Sequence, residues 1–138
     1  MRLAFVVPRY GPEIIGGAET AARLLAEHLA TRPHWSVEVL TTCARDFVTW
    51  ANEYPAGDER VNGVLVRRFT STQGRQPSFH PLSAALLADP AAAGAADAER
   101  WLDLQGPVCP ELTEAALDSS SDALAFYPYL YWPTARVI

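Results

Sequence analysis

The sequence predicts an α/β fold, an open parallel sheet flanked by helices, and two observations at its start carry this prediction. The apolar run Leu3–Val7 is bounded by Pro8 and is too short to span a membrane, so it indicates a strand buried on both faces. A glycine-containing loop follows, and then a segment with apolar residues at helical spacing: Ala21, Leu24, Leu25 and Leu29. Strand, loop and helix in this order are typical of α/β proteins.

Bulk composition agrees with one globular domain of 138 residues. Hydrophobic residues make up 49% and charged residues 20%, which are ordinary globular values. The net charge of −5 argues against a nucleic-acid partner, because neutralising phosphates requires a basic surface. No secretory signal precedes the first strand, so we expect a cytoplasmic protein with Cys43 and Cys109 as free thiols.

The first helix is predicted from Gly17 or Ala18 to about Thr31, with Arg23 and Glu27 facing outward. Glu19 in its first turn suits the helix dipole and can pair with Arg23 at i,i+4. Strand two, 37–41, is a short β-branched run that fits parallel pairing with strand one.

A long loop, 42–61, leaves the carboxyl end of strand two, the sheet edge at which ligands bind in open α/β folds. The loop carries a mix of side chains suited to holding a sugar by stacking and hydrogen bonding: Asp46, Trp50, Asn52 and Tyr54. The alternative is that its aromatic residues pack the loop onto its own domain.

Asn62-Gly63 has the signature of a two-residue hairpin turn, which places a short strand before strand three, 64–69. Arg67 and Arg68 suit an edge strand that must resist pairing with other chains, or could bind an anionic acceptor.

Three helices are predicted next, over 78–87, 95–105 and 110–117, before strand four at Ala123–Tyr127. Right-handed crossovers give the strand order 3-2-1-4, which is Rossmann-like, with a crevice between strands one and four. The aromatic residues after strand four would project into this crevice, and we expect Tyr131 and Trp132 to be core or domain-interface residues. These aromatic residues are Tyr127, Tyr129, Tyr131 and Trp132.

The glycine loop points to an anion, because glycines let a phosphate approach the main chain at the positive end of the helix. Gly16 and Gly17 could also simply make a tight turn. The P-loop pattern fails, since Gly17 and Ala18 stand where Lys and Ser or Thr are needed. The dinucleotide pattern G-x-G-x-x-G is absent, which disfavours NAD, and no cofactor or metal ion is expected.

The segment PRYGPEIIGGAETAARLLAEHLA resembles the start of family-four retaining glycosyltransferases of GT-B architecture, and the stretches WLDLQGP and FYPYLYWPT extend the likeness. The resemblance implies that Gly16 and Gly17 face the diphosphate and sugar of a nucleotide-sugar donor. It also implies that Tyr129 stands where many members offer a histidine to the donor sugar. No catalytic base can be named.

By this resemblance the chain is the N-terminal, acceptor-side domain of a hexosyltransferase-like enzyme, truncated early in a helix and without the C-terminal donor-binding domain. We therefore expect little or no transferase activity from residues 1–138 alone. A carbohydrate or lipid-linked acceptor would contact Asp46, Trp50 and Tyr127, and no membrane signal occurs in this half. The alternatives are a stand-alone sugar- or nucleotide-binding module and an atypical nucleotide-dependent oxidoreductase.

Overall fold

A computed structural model describes residues 1–138 as an α/β fold in which a five-stranded mixed sheet carries helices. Its strands are β1 (Arg2–Val7), β2 (Ser36–Thr42), β3 (Gly57–Val61), β4 (Val64–Phe69) and β5 (Ala123–Phe126). Its helices are α1 (Gly17–Ala30), α2 (Phe79–Ala88), α3 (Ala95–Gln105), α4 (Pro110–Leu117) and α5 (Trp132–Val137), with a single 3-10 turn at Pro90–Ala92. The predicted α/β class is confirmed.

The sheet has the order β3-β4-β2-β1-β5. β1 pairs in parallel with β2 and β5, β2 pairs in parallel with β4, and β3 pairs antiparallel with β4, so the sheet is mixed. Leu3 of β1 lies opposite Val37 on one side and Ala123 on the other. β1 is therefore an inner strand with a neighbour on each side, and the arrangement is consistent with a Rossmann-like fold.

Two hydrophobic cores cover the two faces of the sheet, because successive strand residues point to opposite sides. Phe5 and Val39 belong to the core beneath α1, whereas Val6 and Leu40 belong to the core beneath α4. All of Leu3–Val7 is buried, as predicted for a strand covered on both faces. None of the helices combines the length and hydropathy needed to cross a bilayer.

The buried face of α1 differs from the predicted one. Ala22 and Ala26 are fully buried, whereas Leu24 and Leu25 are 55% and 40% exposed. Small side chains let the helix approach the sheet closely, and this turns the two leucines outward. Arg23 and Glu27 do not face outward as predicted, since their side chains are only 19% and 20% exposed. The Glu27 carboxylate also accepts a hydrogen bond of 2.8 Å from the side-chain amide of Asn62.

The predicted hairpin is confirmed, with Asn62 and Gly63 at φ angles of 48° and 86° between β3 and β4. The two positive φ angles are those of a tight turn whose twist matches the flanking strands. The hairpin makes β3 the edge strand, so edge protection was the wrong interpretation of Arg68. That residue is only 3% exposed, on the same face of β4 as Val66, and its Nε donates to Glu59 of β3 at 2.6 Å.

Candidate functional site

Four loops leave the carboxyl ends of the parallel strands and meet at one edge of the sheet, as parallel pairing requires. They span residues 8–16 after β1, 43–56 after β2, 70–78 after β4 and 127–131 after β5. Every candidate site residue of the sequence analysis lies in one of these loops or at the start of α1. This edge is the candidate site.

Gly16 and Gly17 form the start of α1, and their surroundings differ. A Cβ on Gly16 would collide with the carboxylate of Glu19, which folds back over the first turn. A Cβ on Gly17 would meet nothing within 4 Å. No side chain caps this end of the helix, so its first amide groups have neither an intrahelical nor a side-chain partner. The loop is open at Gly17.

The Glu19 carboxylate pairs with Arg9, and the predicted pairing with Arg23 was wrong. Arg9 Nε donates to Glu19 at 3.1 Å, and the two side chains are only 7% and 12% exposed. Arg23 instead pairs with Glu27 at 3.2 Å. A sequence rule for i,i+4 pairs could not find Arg9, because it lies outside the helix in the loop after β1.

Arg9 also joins two loops of the candidate site. Its Nη1 donates to the main-chain carbonyl of Arg45 at 3.0 Å, in the loop after β2. Its guanidinium carbon lies 5.2 Å from the centre of the Phe47 ring in the same loop. The buried ion pair therefore fixes the glycine loop, the first turn of α1 and the loop after β2 relative to one another.

Asp46 is partly buried, and its carboxylate is hydrogen-bonded within its own loop. The oxygens accept hydrogen bonds from the amides of Val48 at 3.0 Å and Thr49 at 2.7 Å, and from the Thr49 hydroxyl at 2.7 Å. These hydrogen bonds hold the pKa of Asp46 below its usual value, and the bond from the Val48 amide has the largest effect. Asp46 shapes the loop, and acceptor contact by this residue stays a prediction.

Trp50 is only 1% exposed, so its ring face is not open to a sugar. The ring meets that of Tyr131 edge-on, with centroids 4.9 Å apart and planes at 75°. Trp50 therefore packs the loop onto its own domain, which was the alternative interpretation of its aromatic residues. Its φ of 60° is rare for a residue with a side chain, and no sequence signal indicated it.

The tyrosines after β5 lie in different surroundings. Tyr127 is half-buried, and its ring centroid is 5.9 Å from that of Phe5 in the core beneath α1. Tyr129 is 78% exposed and lines an apolar groove of about 570 Å³ with residues of α2, α3 and Leu130. Gly16 and Gly17 do not line this groove. Trp132 donates from Nε1 to Asp103 of α3 at 2.9 Å.

Tyr54, one of the loop residues predicted to hold a sugar, and Tyr10, which had no predicted role, are both held by packing. The Tyr54 ring lies 3.9 Å from the guanidinium carbon of Arg68, and its hydroxyl occupies the space that a side chain on Gly11 would need. Burial raises the pKa of Tyr54 to about 12, and burial likewise raises the pKa of Tyr10 to about 12. Both phenols stay protonated at neutral pH.

The thiols have no role at this edge. Cys43 and Cys109 are buried and unbonded to each other, as predicted. Burial raises the pKa of Cys43 above its usual value and that of Cys109 to about 12, so neither is a thiolate at neutral pH. The structure places no group of three or more His, Cys, Asp or Glu side chains where they could hold a metal ion.

Comparison of the chain with protein-family models, curated proteins and solved structures gives no match. The fold and the geometry of the sheet edge are therefore what bears on function.

Proposed function

We propose that this chain is a nucleotide-sugar-binding domain that forms the N-terminal, acceptor-side half of a retaining glycosyltransferase of GT-B architecture. The observation that carries the proposal is the open start of α1 at Gly17, at the carboxyl edge of a Rossmann-like sheet. A second domain would bind the rest of the donor.

The start of α1 supports contact with a diphosphate. A helix of 14 residues directs its positive dipole end and its free amide groups toward the loop. A Cβ on Gly17 would meet nothing within 4 Å, so the surface is open there, and the Arg9–Glu19 pair holds the loop in place. A preorganised loop loses little conformational entropy when a ligand binds.

The loops after β2 and β5 supply the proposed acceptor side. Asp46 is partly exposed in the loop after β2, and Tyr127 begins the loop after β5. In this proposal a carbohydrate or lipid-linked acceptor contacts Asp46 and Tyr127, whereas the buried Trp50 supports the loop from beneath. Contact of Tyr129 with the donor sugar stays a prediction, since this exposed ring lines the groove with α2 and α3 and Gly17 does not.

The test measures binding of UDP, GDP and ADP, and of their glucose conjugates, to the chain by titration calorimetry. Gly17→Val should weaken the best of these ligands at least about tenfold, a loss of about 1.4 kcal/mol, because valine fills the open space beside Gly17. The control is Gly94→Val, since Gly94 lies at the start of α3 and its Cβ would meet only Asp97 at 3.8 Å. Absence of nucleotide binding, or equal affinity in the Gly17 variant, would refute the proposal.

A stand-alone binding module is the second candidate. Helices cover both faces of the sheet, and each face has its own core, so this unit has the packing needed to bind a ligand without a partner domain. Both candidates predict no sugar transfer by residues 1–138 alone. They differ in whether the coding sequence beyond Ile138 continues into a second α/β domain with paired glutamates.

A further inference from the structure

Arg75, in the loop after β4, differs from the other arginines of the chain in its partners. All eleven basic residues are arginine. Each of them except Arg75 and Arg100 donates a side-chain hydrogen bond or forms an ion pair within the chain: Arg2, Arg9, Arg23, Arg32, Arg45, Arg60, Arg67, Arg68 and Arg136. Arg100 is exposed on α3, where water solvates it, whereas Arg75 is partly buried.

Aromatic rings flank the Arg75 guanidinium. Its central carbon lies 5.0 Å from the centre of the Phe79 ring and 5.8 Å from that of Trp50. Its Nε is buried and has no hydrogen-bond partner, and the same holds for Nε1 of Trp50. The immediate surroundings thus combine one positive charge with two buried N–H donors that lack an acceptor.

The main chain holds this loop rigidly. The Arg75 amide donates to the Thr49 carbonyl at 3.1 Å, and the Gln76 amide donates to the Leu104 carbonyl at 2.9 Å. The Thr49 carbonyl lies so close to Gly74 that a Cβ there would collide with it. Arg75 therefore cannot readily move out to solvent with its loop.

An unpaired, partly buried charge is unfavourable, because desolvation is not offset by a counter-ion. Burial lowers the pKa of Arg75 below its usual value, and the nearby Tyr131 and Asp46 offset this only in part. The Asp46 carboxylate is hydrogen-bonded to Val48 and Thr49 instead of to the guanidinium. An anion that reached Arg75 would gain a charge-assisted hydrogen bond.

We propose that the partly buried Arg75 guanidinium forms a binding site for a small oxyanion, the phosphate or carboxylate group of a ligand. The site goes beyond the proposed contact of a donor with Gly17. β2 separates β4 from β1 in the sheet, which puts the strands that these two loops leave about 10 Å apart, at two strand spacings.

The test titrates the chain with inorganic phosphate and, in a second arm, with acetate, both at an ionic strength held constant with sodium chloride. Calorimetry and thermal unfolding report binding, since a ligand that binds only the folded state raises Tm. Arg75→Met removes the charge and keeps an unbranched apolar stem, and Arg100→Met is the matched control. Arg75→Gln is a second neutral variant should methionine disturb the fold.

Saturable binding is expected for at least one anion, with a Kd of about 1 mM, and the arm that saturates identifies the class of oxyanion. Both Arg75 variants should bind it at least about tenfold more weakly, and Arg100→Met should stay within about twofold of the unaltered chain. Binding of neither anion, or undiminished binding by the Arg75 variants, would overturn the proposal. Gly17→Val should bind the anion normally, so failure of nucleotide binding at α1 leaves this result interpretable.

Discussion

Replacing Arg9 with methionine tests whether the buried ion pair organises the candidate site. The substitution removes the guanidinium and leaves the Glu19 carboxylate, 12% exposed, without its partner. It also removes the hydrogen bond to the Arg45 carbonyl, which connects the glycine loop with the loop after β2. We expect loss of stability and loosening of both loops.

The expected magnitude follows from the burial of the pair. Removing one partner of a buried ion pair costs about 3–5 kcal/mol, because an uncompensated charge stays in the interior. For a domain of this size that corresponds to a fall in Tm of about 10–15 °C. Replacing both Arg9 and Glu19 with methionine should recover most of the loss, since no charge is then left buried.

The assay is urea unfolding of the two single variants and the double variant, analysed as a double-mutant cycle. The control is Arg2→Met, which breaks an ion pair with Asp122 whose side chains are 56% and 48% exposed, and should cost less than about 1 kcal/mol. If Arg9→Met costs no more than the Arg2 control, the pair does not hold the loops and the reasoning fails.

Two further predictions concern other contacts. Gly74→Ala should destabilise the fold by about 1–3 kcal/mol in urea unfolding, because the new methyl group meets the Thr49 carbonyl, and an unchanged stability would contradict this. Asp122 accepts a hydrogen bond of 2.8 Å from the Arg2 amide, which is the main reason why its pKa lies below the usual 3.8. Its folded pKa is depressed, so its contribution is present above the unfolded pKa and is lost as pH falls through the folded one. Asp122→Asn should therefore be less stable than the unaltered chain at pH 7, and the difference should vanish toward acid pH; a difference that persists there would refute this.

The strands and helices could be predicted from the sequence because their signals are local. Short apolar runs give β1 and β2, the Asn62-Gly63 pair gives the hairpin, and proline at the first turn gives α4. The face of α1 could not be predicted in the same way, because two overlapping apolar stripes fit a helix there. The choice of Ala22 and Ala26 depends on how closely the helix approaches the sheet.

The contacts of the candidate site were harder to predict, because they join segments far apart in the chain. Glu19 has a possible partner four residues along its helix, yet it pairs with Arg9 across the loop. Arg68 is in β4, next to the edge strand β3. Its partner Glu59 lies in β3, which precedes β4 in the chain. Sequence rules favour ion-pair partners that are close in the chain. In the folded protein, the partner with which a charged side chain can be buried away from water is favoured instead.

Arg75 shows why an unpaired charge is visible only when every partner is known. The chain has 16 acidic residues for its 11 arginines, so carboxylates are not scarce. Arg75 lacks one because Gly74 and the Thr49 carbonyl clamp its loop, and because Trp50 and Phe79 occupy the space beside it. Geometry, not composition, keeps this guanidinium free. An anion supplied from solution is then the partner that would balance its charge.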